Sequence, residues 1–168
     1  MRRPSPRPGL PARRSDNEKR RLSAEPEAGE IRALRQNVRY RGSPKHKLYP
    51  HLYGLEPFLG RRGDATLCDR DAGFRPEDMA ALPGIIDRAL RAGLVGEHGI
   101  LWAIADNGWI YEARITNAGR SEYHGYPVRS SEAIAQAVYQ RFRDWANNQG
   151  DERARVAAAN CGQLYGFR

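Results

Sequence analysis

The chain of 168 residues carries 28 Lys+Arg against 20 Asp+Glu, a formal net charge of +8, with 40% hydrophobic residues and two cysteines. That length accommodates one domain, and no window approaches the roughly 20 apolar residues of a transmembrane helix. Cys68 and Cys161 are too far apart and too few for a disulfide framework or a zinc spacing, so the composition points to a soluble protein of a reducing compartment, the cytoplasm.

The charge is unevenly spread. Residues 1–41 hold 12 Lys+Arg and 5 Asp+Glu, a net of +7, whereas residues 42–168 hold 16 against 15. The basicity that would suggest a nucleic-acid partner therefore belongs to a tail rather than to a binding face. Residues 1–36 are rich in Arg, Pro, Ser and Glu and poor in bulky apolar residues, so they are expected to form a disordered basic leader. It lacks the apolar run of a secretory signal, and Pro4, Pro6, Pro8 and Pro11 forbid the amphipathic helix of a transit peptide. A basic arm for RNA or DNA, a solvated tail and a start codon set too far upstream remain open. Residues 37–150 are expected to form a single domain, and residues 151–168 a short helix and a C-terminal tail.

In chain order, a short helical candidate at Glu27–Gln36 precedes a punctuated stretch, 37–75, that reads as loop with one short strand at Val38–Arg41. Pro76-Glu77-Asp78 opens a helix, with Pro suited to the first turn and the acids to the positive end of the dipole. Pro83-Gly84 breaks or restarts it, and Gly93 caps the second piece, Ile85–Arg91, which puts Ile86 and Leu90 on one face. Asn107-Gly108, between 99–106 and 109–116, predicts a two-residue type I′ hairpin turn. That turn pairs Ile104 with Tyr111, Trp102 with Ala113 and Ile100 with Ile115 on one apolar face. The other face then carries Leu101, Ala103 and Ala105 opposite Arg114, Glu112 and Ile110.

A third strand, Glu122–Val128, follows the turn Asn117–Arg120, and its register is left open. A four-residue loop places His124 beside Ala113. A loop of three or five, with Gly119 in a bulge, places His124 and Tyr126 beside Arg114 and Glu112. Ser130 or Ser131 caps a last long helix bearing Ile134, Val138, Phe142 and Trp145 on one stripe. The layout is α+β: a small antiparallel sheet, a three-strand meander with room for a fourth strand, and helices before and after it. No GxGxxG, Walker, HExxH, GxSxG or CxxC pattern occurs, so no cofactor and no metal is expected.

Two segments carry candidate chemistry. Gly42-Ser43-Pro44-Lys45-His46-Lys47 puts His46 between two lysines on an exposed loop, where their charge favours the neutral imidazole that a general base needs. Tyr123-His124-Gly125-Tyr126-Pro127 puts a second histidine in a strand whose Gly permits close approach and whose Pro marks an edge or an end. Two imidazoles beside a cation could cleave a phosphodiester, one as base and one as acid. A surface loop and a silent, hydrogen-bonded histidine are the plain alternatives. His51, in Tyr49-Pro50-His51-Leu52-Tyr53, sits in either a packed loop or a platform for bases.

Gly-Ser-Pro-Lys-His-Lys, the hairpin ending Trp-Ile-Tyr-Glu-Ala-Arg, and Tyr-His-Gly-Tyr-Pro together resemble a family of small uncharacterised bacterial proteins with a GSPxHK loop and a YxGYP strand. They also resemble the C-terminal domains of bacterial toxins of the barnase–EndoU–colicin–RelE-like group of metal-independent ribonucleases. The resemblance spans roughly residues 38–130. It implies helices before a small antiparallel sheet whose open face cuts RNA, tRNA included, and a cognate antitoxin or immunity protein as partner. On this reading His46 is the base and His124 the acid, with Lys45 or Arg114 stabilising the phosphorane and Glu112 replacing His46 should that residue lie far off. Lys47, His51, Tyr123 and Tyr126 are the candidate substrate-binding residues. The second reading is a non-catalytic binding module or accessory partner, antitoxin-like or phage-related, which the near-neutral charge of residues 42–168 favours.

Overall fold

The structure, a computed structural model, describes residues 20–61 and 63–168. Its helices are α1 (Ala28–Asn37), α2 (Cys68–Ala72), α3 (Leu82–Arg91), α4 (Ala133–Asn148) and α5 (Glu152–Tyr165). The strands are β1 (Arg39–Tyr40), β2 (Leu101–Ile104), β3 (Ile110–Asn117) and β4 (Glu122–Pro127), in sheet order β1-β4-β3-β2. The fold is α+β, as the periodicities predict. The β2-β3-β4 meander is antiparallel, and the fourth strand, β1, joins it in parallel to β4, which makes the sheet mixed. No helix among the described residues is long and apolar enough to cross a membrane.

Pro76 begins a 3-10 segment, Pro76–Ala81, in which the Asp78 side chain accepts from the Arg75 amide at 2.8 Å. The helix restarts as α3 with Pro83 in its first turn, where a missing N–H costs nothing, and Gly93 at φ +70° follows its end. The hairpin differs from expectation by one residue. Ala105 and Trp109 close it, and the loop is Asp106-Asn107-Gly108, with Gly108 at φ +92°. Leu101 therefore pairs with Ala113, Trp102 with Glu112, Ala103 with Tyr111 and Ile104 with Ile110. Because side chains alternate, that single step exchanges the partners on both faces. The cause lies in α5: its backbone at Asn160 and Cys161 packs against Gly108, and the Asn160 side-chain amide donates to the Asp106 carbonyl at 2.8 Å.

The sheet is covered on both sides. Trp102, Ile104, Ile110 and Val128 lie in one buried cluster with Val138 and Phe142 of α4 and Ala157, Cys161 and Tyr165 of α5. Leu101 and Tyr123 lie in a second with Leu90 of α3, flanked by Ile31 and Leu34 of α1. Each such large side chain contributes about 2 kcal/mol on burial. α4 begins at Ala133 with Glu132 at its N-cap, not at Ser130 or Ser131, because the Glu132 carboxylate is already engaged with the Arg129 amide at 2.6 Å.

Two boundaries move. The segment expected as a C-terminal tail is helical through Tyr165, whose hydroxyl donates to the Val128 carbonyl at 2.7 Å while accepting from the Ile110 amide at 3.1 Å. At the other end, the segment expected as leader is packed from Arg20 onward. Arg20 is 5% exposed, Leu22 bridges Gly96, the Ser23 amide donates to the Val95 carbonyl, and α1 lies against α3. Residues 1–19 of the expected leader lie outside the described residues.

Candidate functional site

The connection between β3 and β4 selects the face of His124. It is a four-residue turn, 118–121, with Ser121 at φ +51°, and a bulge falls between Ile115 and Asn117. The bulge adds the residue that changes parity. Arg114 then pairs with His124 and Glu112 with Tyr126, the arrangement expected for an odd loop, though with the irregularity at Thr116 rather than at Gly119. Thr116 Oγ1 lies 2.7 Å from His124 Nδ1.

His46 reaches the same place through β1. Tyr40 pairs with Tyr123 in parallel, so the chain leaving β1 runs alongside 124–126. Arg41 and Gly42 both donate to the Tyr123 carbonyl, and Gly42 turns at φ +87° into the 3-10 segment Pro44–His46, with the Ser43 hydroxyl accepting from the Lys45 amide at 3.4 Å. The His46 ring lies 5.5 Å from the His124 ring, 7° from parallel, and 4.9 Å from the Tyr126 ring. The loop is fixed from below: the Leu48 and Tyr49 amides donate to Asp69 at 2.8–3.0 Å, and Arg61 donates to the carbonyls of Pro44 and Lys47.

Burial and then the charges of Lys45, Arg114 and Lys47 lower the His124 pKa below its usual 6.5. Lys45 is exposed and Arg114 half-exposed beside the imidazoles. The other candidates are placed differently. Lys47 is 1% exposed, its ammonium held over the rings of Tyr53 and Phe74 at 5.1 and 5.3 Å, so it contributes charge from beneath rather than a contact to substrate. Tyr123 belongs to the core on the opposite face, because alternation along β4 sends it away from His124. His51 is exposed, with its ring edge-on to Tyr49. Tyr126 is buried, with its ring against His46 and its hydroxyl on Glu112.

Glu112 is poorly placed as the reserve base. It is fully buried, and its carboxylate accepts from Arg20 Nε at 2.8 Å, Trp102 Nε1 at 3.1 Å, Arg114 Nε at 2.8 Å and the Tyr126 hydroxyl. Burial alone would raise its pKa, but Arg20, Tyr126 and Arg114 together hold it below the ordinary carboxylate range. A carboxylate whose lone pairs are all engaged has no site left for a substrate proton. Sequence inspection missed Arg20 and Thr116. The first lay in the segment read as leader, and the second comes into place only through the bulge.

A groove of about 410 Å³ lies elsewhere, between α1 and α3, where Arg35 and Asp87 pair at 2.7 Å. Among the described residues no group of three or more His, Cys, Asp and Glu side chains is gathered to hold a metal ion. No protein-family model matches the chain, and neither a curated protein nor a solved structure is significantly similar to it.

Proposed function

We propose that this chain is a metal-independent endoribonuclease-like protein of bacterial toxin or defence type, acting on RNA by general acid–base chemistry. The observation that carries the reading is the pair of near-parallel imidazoles of His46 and His124, 5.5 Å between centroids, beside the cations of Lys45 and Arg114.

The assignment of roles reverses the one drawn from the sequence. Burial and the cations around it disfavour protonation of His124, which suits the base. In the tautomer whose Nδ1–H is donated to Thr116 Oγ1, Nε2 carries the lone pair. His124 takes the proton of the substrate 2′-hydroxyl as the 2′-oxygen bonds to the adjacent phosphorus. The bond from phosphorus to the 5′-oxygen breaks, and His46, protonated, gives its proton to that leaving oxygen. The products are a 2′,3′-cyclic phosphate and a 5′-hydroxyl end. Arg114 and Lys45 stabilise the charge that gathers on the phosphorane oxygens.

The test is incubation of purified chain with total RNA and tRNA in EDTA, beside His46→Ala and His124→Ala. Cleavage with cyclic-phosphate ends that both variants abolish while staying folded is the expected result. A folded wild-type chain that leaves both RNAs intact overturns the reading and returns the chain to a non-catalytic binding module.

A further inference from the structure

The buried charges beneath the imidazoles form a four-membered chain. Glu112 Oε1 accepts from Arg114 Nε and from the Tyr126 hydroxyl, whereas Oε2 accepts from Arg20 and from Trp102 Nε1. A second Arg20 nitrogen, Nη1, donates to Glu132 Oε1 at 3.0 Å, and Glu132 also accepts from the Arg129 amide ahead of α4. Arg20, Glu112 and Glu132 are each no more than 5% exposed. Among the described residues, two carboxylates and two guanidiniums balance, and Arg114, the half-exposed member, is the one that reaches the candidate site.

We propose that Arg20, from the segment before α1, is a positioning residue of the site: by neutralising Glu112 and Glu132 it leaves Arg114 extended toward the scissile phosphate and Tyr126 seated against His46. The assignment of that phosphate rests on the ribonuclease reading; the placement of the two side chains does not. With Arg20 gone, Glu112 would keep only the Arg114 guanidinium as a cationic partner, and Glu132 only the Arg129 amide, among the described residues. Arg114, already on Glu112 Oε1 at 2.8 Å, would be held there more tightly, and the field at His124 would become more negative. The groups facing His124 are Lys45, Arg114, Lys47, Thr116 and the His46 ring, so both changes act on its titration in the same direction, upward.

The experiment compares full-length wild type, Arg20→Ala and Arg20→Lys by RNA cleavage and by NMR titration of the His124 ring. Arg20→Ala is expected to cut at least tenfold more slowly and to raise the His124 midpoint by about half a pH unit or more. Arg20→Lys, which keeps the charge but not the forked reach to both carboxylates, is expected to restore the midpoint and recover only part of the cleavage. Should Arg20→Ala fail to fold, Arg20→Gln carries the same expectation. An unchanged His124 midpoint in the neutral variant overturns the proposal. If the wild type cuts no RNA, the titration decides alone: a shifted midpoint upholds the positioning role while the ribonuclease reading fails.

Discussion

The His46 imidazole lies 7° from parallel to that of His124, in ring contact across 78 residues of sequence. Two independent features produce the contact. Parallel pairing of β1 with β4 carries the 43–46 loop alongside residues 124–126, and the bulge at Thr116 turns His124 toward that loop. Neither histidine would meet the other if either feature were lost.

The pH dependence follows from the lowered pKa of His124. As the base of the proposed reaction it needs the neutral ring, so kcat/KM should rise through a midpoint below 6.5, with the opposite limb set by the acid, and the bell should survive EDTA. Stability carries the same signature. Below pH 6.5 the unfolded chain protonates this ring before the folded one does, so the His124 contribution is intact above 6.5 and is lost as the pH falls toward the folded value. Urea unfolding at about pH 7.5 and about pH 5.5 should show a smaller loss on acidification in His124→Gln than in the wild type.

Glu112→Gln should destabilise the fold by about 3 kcal/mol, since it leaves Arg20 and Arg114 without their shared buried counter-charge. If Glu112 positions groups rather than moving protons, the variant's remaining activity keeps the acid limb that belongs to His124. Denaturant melts and a pH–rate profile on the same preparation check both. Loss of that limb would mean that Glu112, not His124, sets it.

Gly108→Ala should cost about 3 kcal/mol, combining a positive-φ penalty with a steric one. Its Cβ would lie 2.5 Å from the Asn160 carbonyl carbon and 2.6 Å from the Cys161 nitrogen, both backbone atoms of α5. Gly73→Ala is the control: φ is also positive, at +66°, but nothing lies within 4 Å, so about 1 kcal/mol is expected. Equal costs in urea titrations would show that α5 does not press on the hairpin.

A chain beginning at residue 36 should be less stable than one beginning at Arg20 by about 3 kcal/mol or more. It lacks the Arg20 bridge between Glu112 and Glu132 and the Ile31 and Leu34 contacts of α1 with the second core cluster. Parallel thermal and urea melts of the two chains decide it. Equal stability would return residues 20–35 to the status of a tail.

Local chemistry was legible in the order of the residues. Pro83 and Gly93 bound a helix, Asn107-Gly108 marks a hairpin, and the stripe of Ile134, Val138 and Phe142 covers a sheet, because each depends on neighbours within a few positions. His46 and His124 stood out for the same reason: Gly and Pro beside a histidine imply an accessible ring. What sequence could not decide was parity. One residue more in the hairpin loop and one bulged residue at Thr116 set which side chains share a face, and the first meets contacts from α5 that lie far away in the chain. The same distance hid Arg20, whose neighbours in sequence are charged and polar but whose guanidinium sits between two buried carboxylates. A buried charge is intelligible only with its partners, and those are brought to it by the tertiary fold.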